Sequence, residues 1–515
     1  MAYTLDTPRV IINEVNAFPN SVVAVATAVP AFIGYTRRAD YKGKSYLNEP
    51  VKISSLTEFL IFFGASSDPQ YQPIYLPVLS KGTGEVTIGV NQYDILPDPK
   101  TIYYLYNSIK LFYQNGGGDC YIVSVGLIGP APAAPKAMAV DDPLGLVNPN
   151  VDLDALQKGL KKLLLESAPT MIVIPDGLLL GQKKYATLMQ SVLKHCRTLQ
   201  SRVGIFDVFG GEAPDPETWK ADDIEPFREG VGMNELKYGI AYYPFLKTTI
   251  TQDGDVNYNT LGGAKALNPI LPVEGNDPLK SLLGQIADVG TNNGPTALQV
   301  ENGLLEASSD YKQLHKHVLE KINILPPSAA MAGVYTAVDS TQGVWKAPAN
   351  VSLSGVVDTT LSISDQTQGP LNVDAATGKS INAIRKFPGL GVIVWGARTL
   401  DGNSQDWRYV NVRRTVIMIE ESVKLAARAY VFAPNVAGTW SLINSMLSSF
   451  LANLWAQGAL AGATSAAAFD VAVGLGTTMT ADDILNGIMN ITVRVAVSHP
   501  AEFIVITVSQ KQQTS

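Results

Sequence analysis

Two aspartates stand where a parallel sheet presents side chains to a ligand. Asp176, in Pro175-Asp-Gly177, and Asp207, closing Val203-Gly-Ile-Phe-Asp207, each end an apolar run that reads as a buried strand. Open α/β sheets bind ligands beyond the carboxyl ends of their strands, so the pair supports a hydrolase-like reading. Against it, Pro-Asp-Gly is a common turn signature, and neither a base, a nucleophile nor a glycine fingerprint accompanies the two carboxylates. Gly378-Lys379-Ser380 copies the end of a phosphate-binding loop, but Val373 occupies the position where that loop needs its first glycine. Asp253-Gly-Asp-Val-Asn257 opens like a calcium loop, yet Tyr258 replaces the turn glycine and Ala264 the bidentate glutamate. His315 and His317 fall on different faces of a helix and do not share a metal. Cys120 and Cys196 lie in no CxxC or nucleophile context and default to small buried residues. The residues thus give no metal site, cofactor site or catalytic set to commit to.

The elements around these residues alternate. Ala31–Tyr35, Cys120–Val125, Thr170–Ile174 and Val203–Asp207 read as buried strands, and Val22–Ala26 as another. Leu56–Gly64, Tyr103–Tyr113, Leu153–Ser167 and Tyr185–Leu199 read as helices between them. That alternation predicts an α/β layer with parallel pairing. From Thr248 to about Asp310 the pattern dissolves into Gly, Asn and Asp, which predicts an exposed insertion. Leu353–Asp374 reads as polar and β-rich. A last unit follows: a strand at Gly391–Trp395, helices at about Arg413–Tyr430 and Thr439–Gly458, then terminal strands.

The ends of the chain are β-prone. Ile491, Val493, Val495 and Val497 share one face of an alternating strand, with Thr492, Arg494, Ala496 and Ser498 on the other. His499-Pro500 breaks the ladder, because proline has no N–H to donate. A second β-rich run, Phe503, Ile504, Val505, Ile506 and Val508, continues toward the terminus; Val10, Ile11, Ile12 and Val15 form a similar run at the start. Exposed strands at both ends suit pairing with neighbouring copies by strand addition. In the helix Arg413–Tyr430, Val412, Val416, Ile419, Val423, Ala427 and Tyr430 form an apolar stripe, and Glu420, Lys424 and Arg428 an i,i+4 charged row. Arg413 and Arg414 sit near the helix N-terminus, which disfavours cations unless a partner elsewhere offsets it.

Composition sets limits. The chain has 515 residues, 46% hydrophobic and 17% charged, with net charge −7. Low charge suits a protein that covers much of its surface with copies of itself. Net negative charge argues against nonspecific nucleic-acid binding. The start carries no basic and apolar leader, so synthesis and assembly in the cytoplasm are expected. No Asp, Glu, Lys or Arg occurs between Arg428 and Asp470, but proline, asparagines and serines interrupt the stretch, so a buried or interface helix is expected there and not a membrane span.

The chain resembles the contractile tail sheath proteins of phage tails, R-type pyocins and extracellular contractile injection systems. The resemblance rests on Ile324-Leu-Pro-Pro-Ser-Ala-Ala-Met-Ala-Gly-Val-Tyr335, Gly343-Val-Trp-Lys-Ala-Pro-Ala-Asn350 and Phe387-Pro-Gly-Leu-Gly-Val-Ile-Val-Trp-Gly-Ala-Arg-Thr-Leu400. Trp407-Arg-Tyr-Val-Asn-Val-Arg-Arg414, Phe432-Ala-Pro-Asn435, Leu454–Ala463, Pro500-Ala-Glu-Phe503 and, upstream, Phe112–Gly117 extend it over most of the chain. It implies a mixed α/β fold: an N-terminal arm (1–22), an outer α/β region (23–372) with a surface insertion at about 248–312, an inner sheath domain (373–498), and a C-terminal arm strand (499–515). It further implies six-fold rings stacked around an inner tube, with baseplate and terminal cap proteins as partners and no cofactor, direct nucleic-acid contact or membrane insertion. On that reading the arms link neighbouring subunits, and Arg413, Arg414, Glu420, Lys424 and Arg428 are the candidates to face the tube. Where family members often carry charges after Phe-x-Pro-Asn, this chain has Ser441, Asn444, Ser448, Ser449 and Asn453.

Overall fold

The structure, a computed structural model, describes residues 22–64, 71–139, 145–291 and 294–503. The chain divides into two compact units. Among the described residues the larger contains 26–417 and 499–503, the smaller 22–25 and 418–498.

A nine-stranded sheet organises the larger unit. Its centre is parallel, in the order Asn382–Phe387, Gly239–Tyr243, Val203–Asp207, Met171–Val173, Pro30–Thr36, Cys120–Leu127. Antiparallel strands finish both edges: Pro50–Ile53 at one, Gly391–Val394 and then Val351–Ser352 at the other. Every residue of Pro30–Thr36, Met171–Val173, Val203–Asp207 and Gly239–Tyr243 is buried. Burial on both faces is why these strands read as continuous apolar runs.

Small residues set how closely the helices approach. An added Cβ at Gly159, on the helix Leu153–Lys162, would lie 2.5 Å from Val125 and 2.9 Å from Ile33 of the sheet. One at Gly333, on the helix Ser328–Gln342, would lie 2.5 Å from the Phe112 carbonyl of the helix Leu105–Gln114. Ser328-Ala-Ala-Met-Ala-Gly-Val-Tyr335 is buried throughout, because alanine and glycine let the backbones nearly touch.

The smaller unit has a helix, Ala437–Ala456, packed on an antiparallel hairpin of Phe469–Val473 and Ile491–Val495. Ile443, Met446 and Leu447 are its buried cluster, flanked by half-buried Val423, Ala426, Tyr430, Val471, Ile491 and Val493. The predicted alternation is seen in part: Arg494 and Ala496 are exposed and Val497 is buried, while Thr492 and Ser498 are half-buried like Ile491, Val493 and Val495.

Strands Asn382–Phe387 and Gly391–Val394 belong to the main sheet through Tyr242 and Tyr243, and the division between the two compact units falls after Ile417, inside the helix Val410–Ala427. Three local expectations are corrected. Residues 22–26 form no strand; instead the Val25 N–H donates to Ser422 Oγ at 3.1 Å. The region 248–312 is not formless: helices Asp277–Gln285 and Ala297–Ala307 bury Leu279, Leu283, Val300 and Leu304. Its Asn and Thr residues cap these helices, Asn276 and Thr296 accepting from Leu279 and Gln299. Finally, Leu353–Asp374 holds one short strand, Val356–Thr359, and the helix Asp365–Asn372, with less β-structure than its composition implied.

Candidate functional site

Each of the two aspartates that opened the enzymatic reading closes a helix. The Asp176 carboxylate accepts the backbone N–H groups of Tyr35 (2.8 Å), Tyr104 (2.7 Å) and Leu105 (3.1 Å), capping the helix Leu105–Gln114. Asp207 accepts from the Ser328 N–H (2.7 Å) and hydroxyl (2.5 Å) at the start of the helix Ser328–Gln342. Burial pushes the Asp176 carboxyl up to about 6 and that of Asp207 up to about 7, against the pull of these hydrogen bonds. The carboxylates satisfy orphan amides of helix ends, and no open cleft is needed to explain them. Lys379 and Ser380 are buried, Lys379 Nζ donating to the Arg228 carbonyl. His315 is buried 3.6 Å from Asp253 and 3.7 Å from Glu301, while His317 is half-exposed. Among the described residues no cluster of His, Cys, Asp or Glu suits a metal, and no helix is long and apolar enough to cross a membrane. Cys120 and Cys196 are buried and unpaired, their thiols pushed up to about 12 by burial.

The five charged candidates of the Val410–Ala427 helix divide. Arg414 is buried: it forms an ion pair with Asp339 (2.6 Å), donates to the Thr27 carbonyl (3.0 Å) and lies over the Tyr335 ring. Arg413 is buried over the rings of Trp407 (4.5 Å) and Tyr238 (5.1 Å). Both side chains are buried within the larger unit, and Asp339 is the offsetting partner that the helix terminus calls for. Glu420, Lys424 and Arg428 are exposed as one row, and Lys424 reaches Glu421 at 3.0 Å. The polar residues of the next helix also serve the fold. Asn444 Nδ2 donates to the Val471 carbonyl (2.7 Å), and Asn435 accepts from Trp440 Nε1 (2.7 Å) while donating to the Ile488 carbonyl.

The terminal runs are only partly in view. Val10, Ile11, Ile12 and Val15, with Ile504, Val505, Ile506 and Val508, lie outside the described residues. Phe503 is 75% exposed and outside any strand. The hairpin Phe469–Val473/Ile491–Val495 pairs with no third strand among the described residues. Just before the tail, Glu502 is gripped by the larger unit. Arg398 donates to it through Nε (2.9 Å) and Nη2 (2.6 Å), Tyr409 through its hydroxyl (3.1 Å) and Asn372 through Nδ2 (3.0 Å). Burial raises the Glu502 carboxyl, but the bonds from Arg398, Asn372 and Tyr409 and the Arg398 charge outweigh it and hold the group below its ordinary range. Pro500-Ala-Glu-Phe503 carries no sequence sign of this clasp, because its partners lie far back in the chain. Gly396 allows a close approach: an added Cβ would lie 2.8 Å from Asn382 Oδ1.

The candidate charged and polar residues are committed to caps and clasps around a large mixed sheet. Comparison with known proteins adds the resemblance. The phage tail sheath protein central domain matches residues 283–400, and the phage tail sheath C-terminal domain matches 403–511. A stretch of 140 residues, 27% of this chain, is 29% identical to the tail sheath protein of Burkholderia phage BcepMu and spans 29% of that relative's length. The contracted sheath complex of the extracellular contractile injection system PVC is similar over 99% of both chains, with 25% identity and a TM-score of 0.57. The contracted helical sheath of the anti-feeding prophage is similar over 98% of this chain and 99% of its own, with 25% identity and a TM-score of 0.58. A chain of the six-fold symmetrised baseplate of the anti-feeding prophage is similar over the same shares, with 26% identity and a TM-score of 0.57. The chain is thus similar to the tail sheath family over two family domains and to contractile sheath chains over nearly its whole length.

Proposed function

We propose that this protein is the sheath subunit of a contractile injection apparatus, stacking as six-fold rings around an inner tube and contracting to drive the tube through a target envelope. The observation that carries the reading is the hairpin Phe469–Val473/Ile491–Val495, two strands that pair with no third strand among the described residues, on a thin core, in a chain similar from end to end to contracted sheaths. A two-stranded hairpin is marginal alone and gains from added strands. The terminal tails of neighbouring subunits supply those strands.

Magnitudes decide what the tails must contribute. A five-residue strand adds roughly five backbone hydrogen bonds at about 1 kcal/mol each. Ordering the same residues costs about 1–2 kcal/mol apiece, so hydrogen bonding at best breaks even. The apolar residues of the tail, Ile504, Val505, Ile506 and Val508, tip the balance, at about 1.5–3 kcal/mol per fully buried side chain. The linked mesh then shortens without coming apart. Differences of ~1–3 kcal/mol per bistable contact, summed over many subunits, drive the stroke with no nucleotide.

Baseplate and cap proteins nucleate and end the stack, and Glu420, Lys424 and Arg428 face the tube. The particle assembles inside the producing cell and is used as a phage tail or a released particle. The test is electron microscopy of purified full-length protein beside a chain ending at Phe503: ribbed hollow cylinders from the first and folded, unpolymerised subunits from the second. Long sheaths from the shortened chain refute the tail model.

A further inference from the structure

We infer that the Glu502 clasp is the fixed root of the C-terminal tail, the point at which tension from a neighbouring subunit enters the main sheet. The inference rests on the tail-exchange reading and adds a positioning residue to it. The chain leaves the hairpin of the smaller unit and, from His499 on, belongs to the larger one. Little else ties this short segment down. Ala501 and Phe503 are exposed, Pro500 has no N–H, and no strand includes residues 499–503. Among the described residues, the segment's hydrogen bonds are those of Glu502, beside an edge contact of the His499 ring on Tyr409 (5.9 Å). Its carboxylate nevertheless has both oxygens engaged, by Arg398, Tyr409 and Asn372.

The other side of the clasp is rigid. The Arg398 side chain is 5% exposed, so its guanidinium has one place to sit. Its backbone is held in both directions by Asn382: the Arg398 N–H donates to Asn382 Oδ1 (2.7 Å) and Asn382 Nδ2 donates to the Arg398 carbonyl (2.7 Å). Asn382 also donates to the Ala241 carbonyl (3.1 Å) on the adjacent parallel strand. Tail, carboxylate, guanidinium, asparagine and sheet thus form one continuous chain of directional contacts. His499, Ala501 and Phe503 are exposed around this grip, with Pro500 and Glu502 half-buried. The grip has a use if the residues beyond it bear load.

Charge-assisted, forked pairs combine strength with geometric precision. Glu502→Gln keeps the shape and removes the charge; Tyr409→Phe and Asn372→Ala each remove one bond. In full-length protein, Glu502→Gln is expected to unfold like the wild type yet need a protein concentration higher by roughly ten-fold to form sheaths, the equivalent of about 1.4 kcal/mol. Tyr409→Phe and Asn372→Ala shift it in the same direction by less, and the exchange Glu502→Arg with Arg398→Glu recovers part of the loss. Sheath formation by Glu502→Gln at the wild-type concentration overturns the inference. If that variant does not fold, Tyr409→Phe decides by the same comparison. The chain ending at Phe503 separates the two ideas. If it assembles normally, tail exchange fails; if it does not assemble while Glu502→Gln does, only the clasp fails.

Discussion

Replacing Arg414 by methionine tests whether the start of the Val410–Ala427 helix belongs to the fold or to a tube-facing surface. The Arg414 and Asp339 side chains are 4% and 5% exposed, joined by contacts of 2.6 Å and 3.0 Å. Arg414 also donates to the Thr27 carbonyl, and the Thr27 hydroxyl donates to Asp339 (2.5 Å). Methionine fills much of the volume but leaves the Asp339 carboxylate buried with a single hydroxyl for company. Breaking a buried pair from one side costs about 3–5 kcal/mol. Arg414→Met should therefore lower the urea midpoint of the larger unit by that equivalent at an unchanged slope, read by tryptophan fluorescence. Asp339→Asn in the same background should restore part of it, a coupling of about 0.5–3 kcal/mol. Wild-type stability in Arg414→Met, together with failure to assemble on the tube, would refute this reasoning and return Arg414 to the surface.

Further outcomes follow from the same contacts. Reversing Lys424 and Arg428 to Glu should leave subunit stability within about 0.5 kcal/mol yet impair sheath assembly on the tube; normal assembly removes the row from the tube interface. Asp207, raised to about 7 in the fold, binds a proton there that the unfolded chain gives up near 4. Its contribution is thus most favourable below pH 4 and fades as pH rises to 7, by on the order of 4 kcal/mol at most. Asp207→Asn should flatten that slope in urea titrations across the range. Glu502 has the opposite sign: its depressed carboxyl keeps the clasp closed above the ordinary glutamate range and releases it as pH falls through the folded value. Sheaths dissociated by acid should regain length on return to neutral pH, and Glu502→Gln should lose this step.

The parallel core was legible because its strands are buried on both faces: Cys120–Leu127 and Val203–Asp207 are apolar runs bounded by turns, and nothing else fits them. The region after Thr248 was misread for a local reason. Its helices are short, and the caps Asn276 and Thr296 resemble loop composition when their partners are unseen. The pairing of Asn382–Phe387 with a strand far earlier in sequence was not legible, because such pairing leaves no periodic trace. The same holds for the ion pairs. An arginine at a helix start signals that a partner is needed, but not that the partner is Asp339; Glu502 in an exposed coil signals nothing about Arg398. Tertiary pairing at long range is decided by the whole packing and cannot be recovered from spacing.

A helical reconstruction of the assembled sheath at side-chain resolution tests the central claim most directly. Residues 504–515 of one subunit should run as a strand along the open edge of the Phe469–Val473/Ile491–Val495 hairpin of a neighbour, with Glu502 still in its own Arg398 clasp. Tails folded against their own subunit, with that hairpin edge unpaired across subunits, would contradict it.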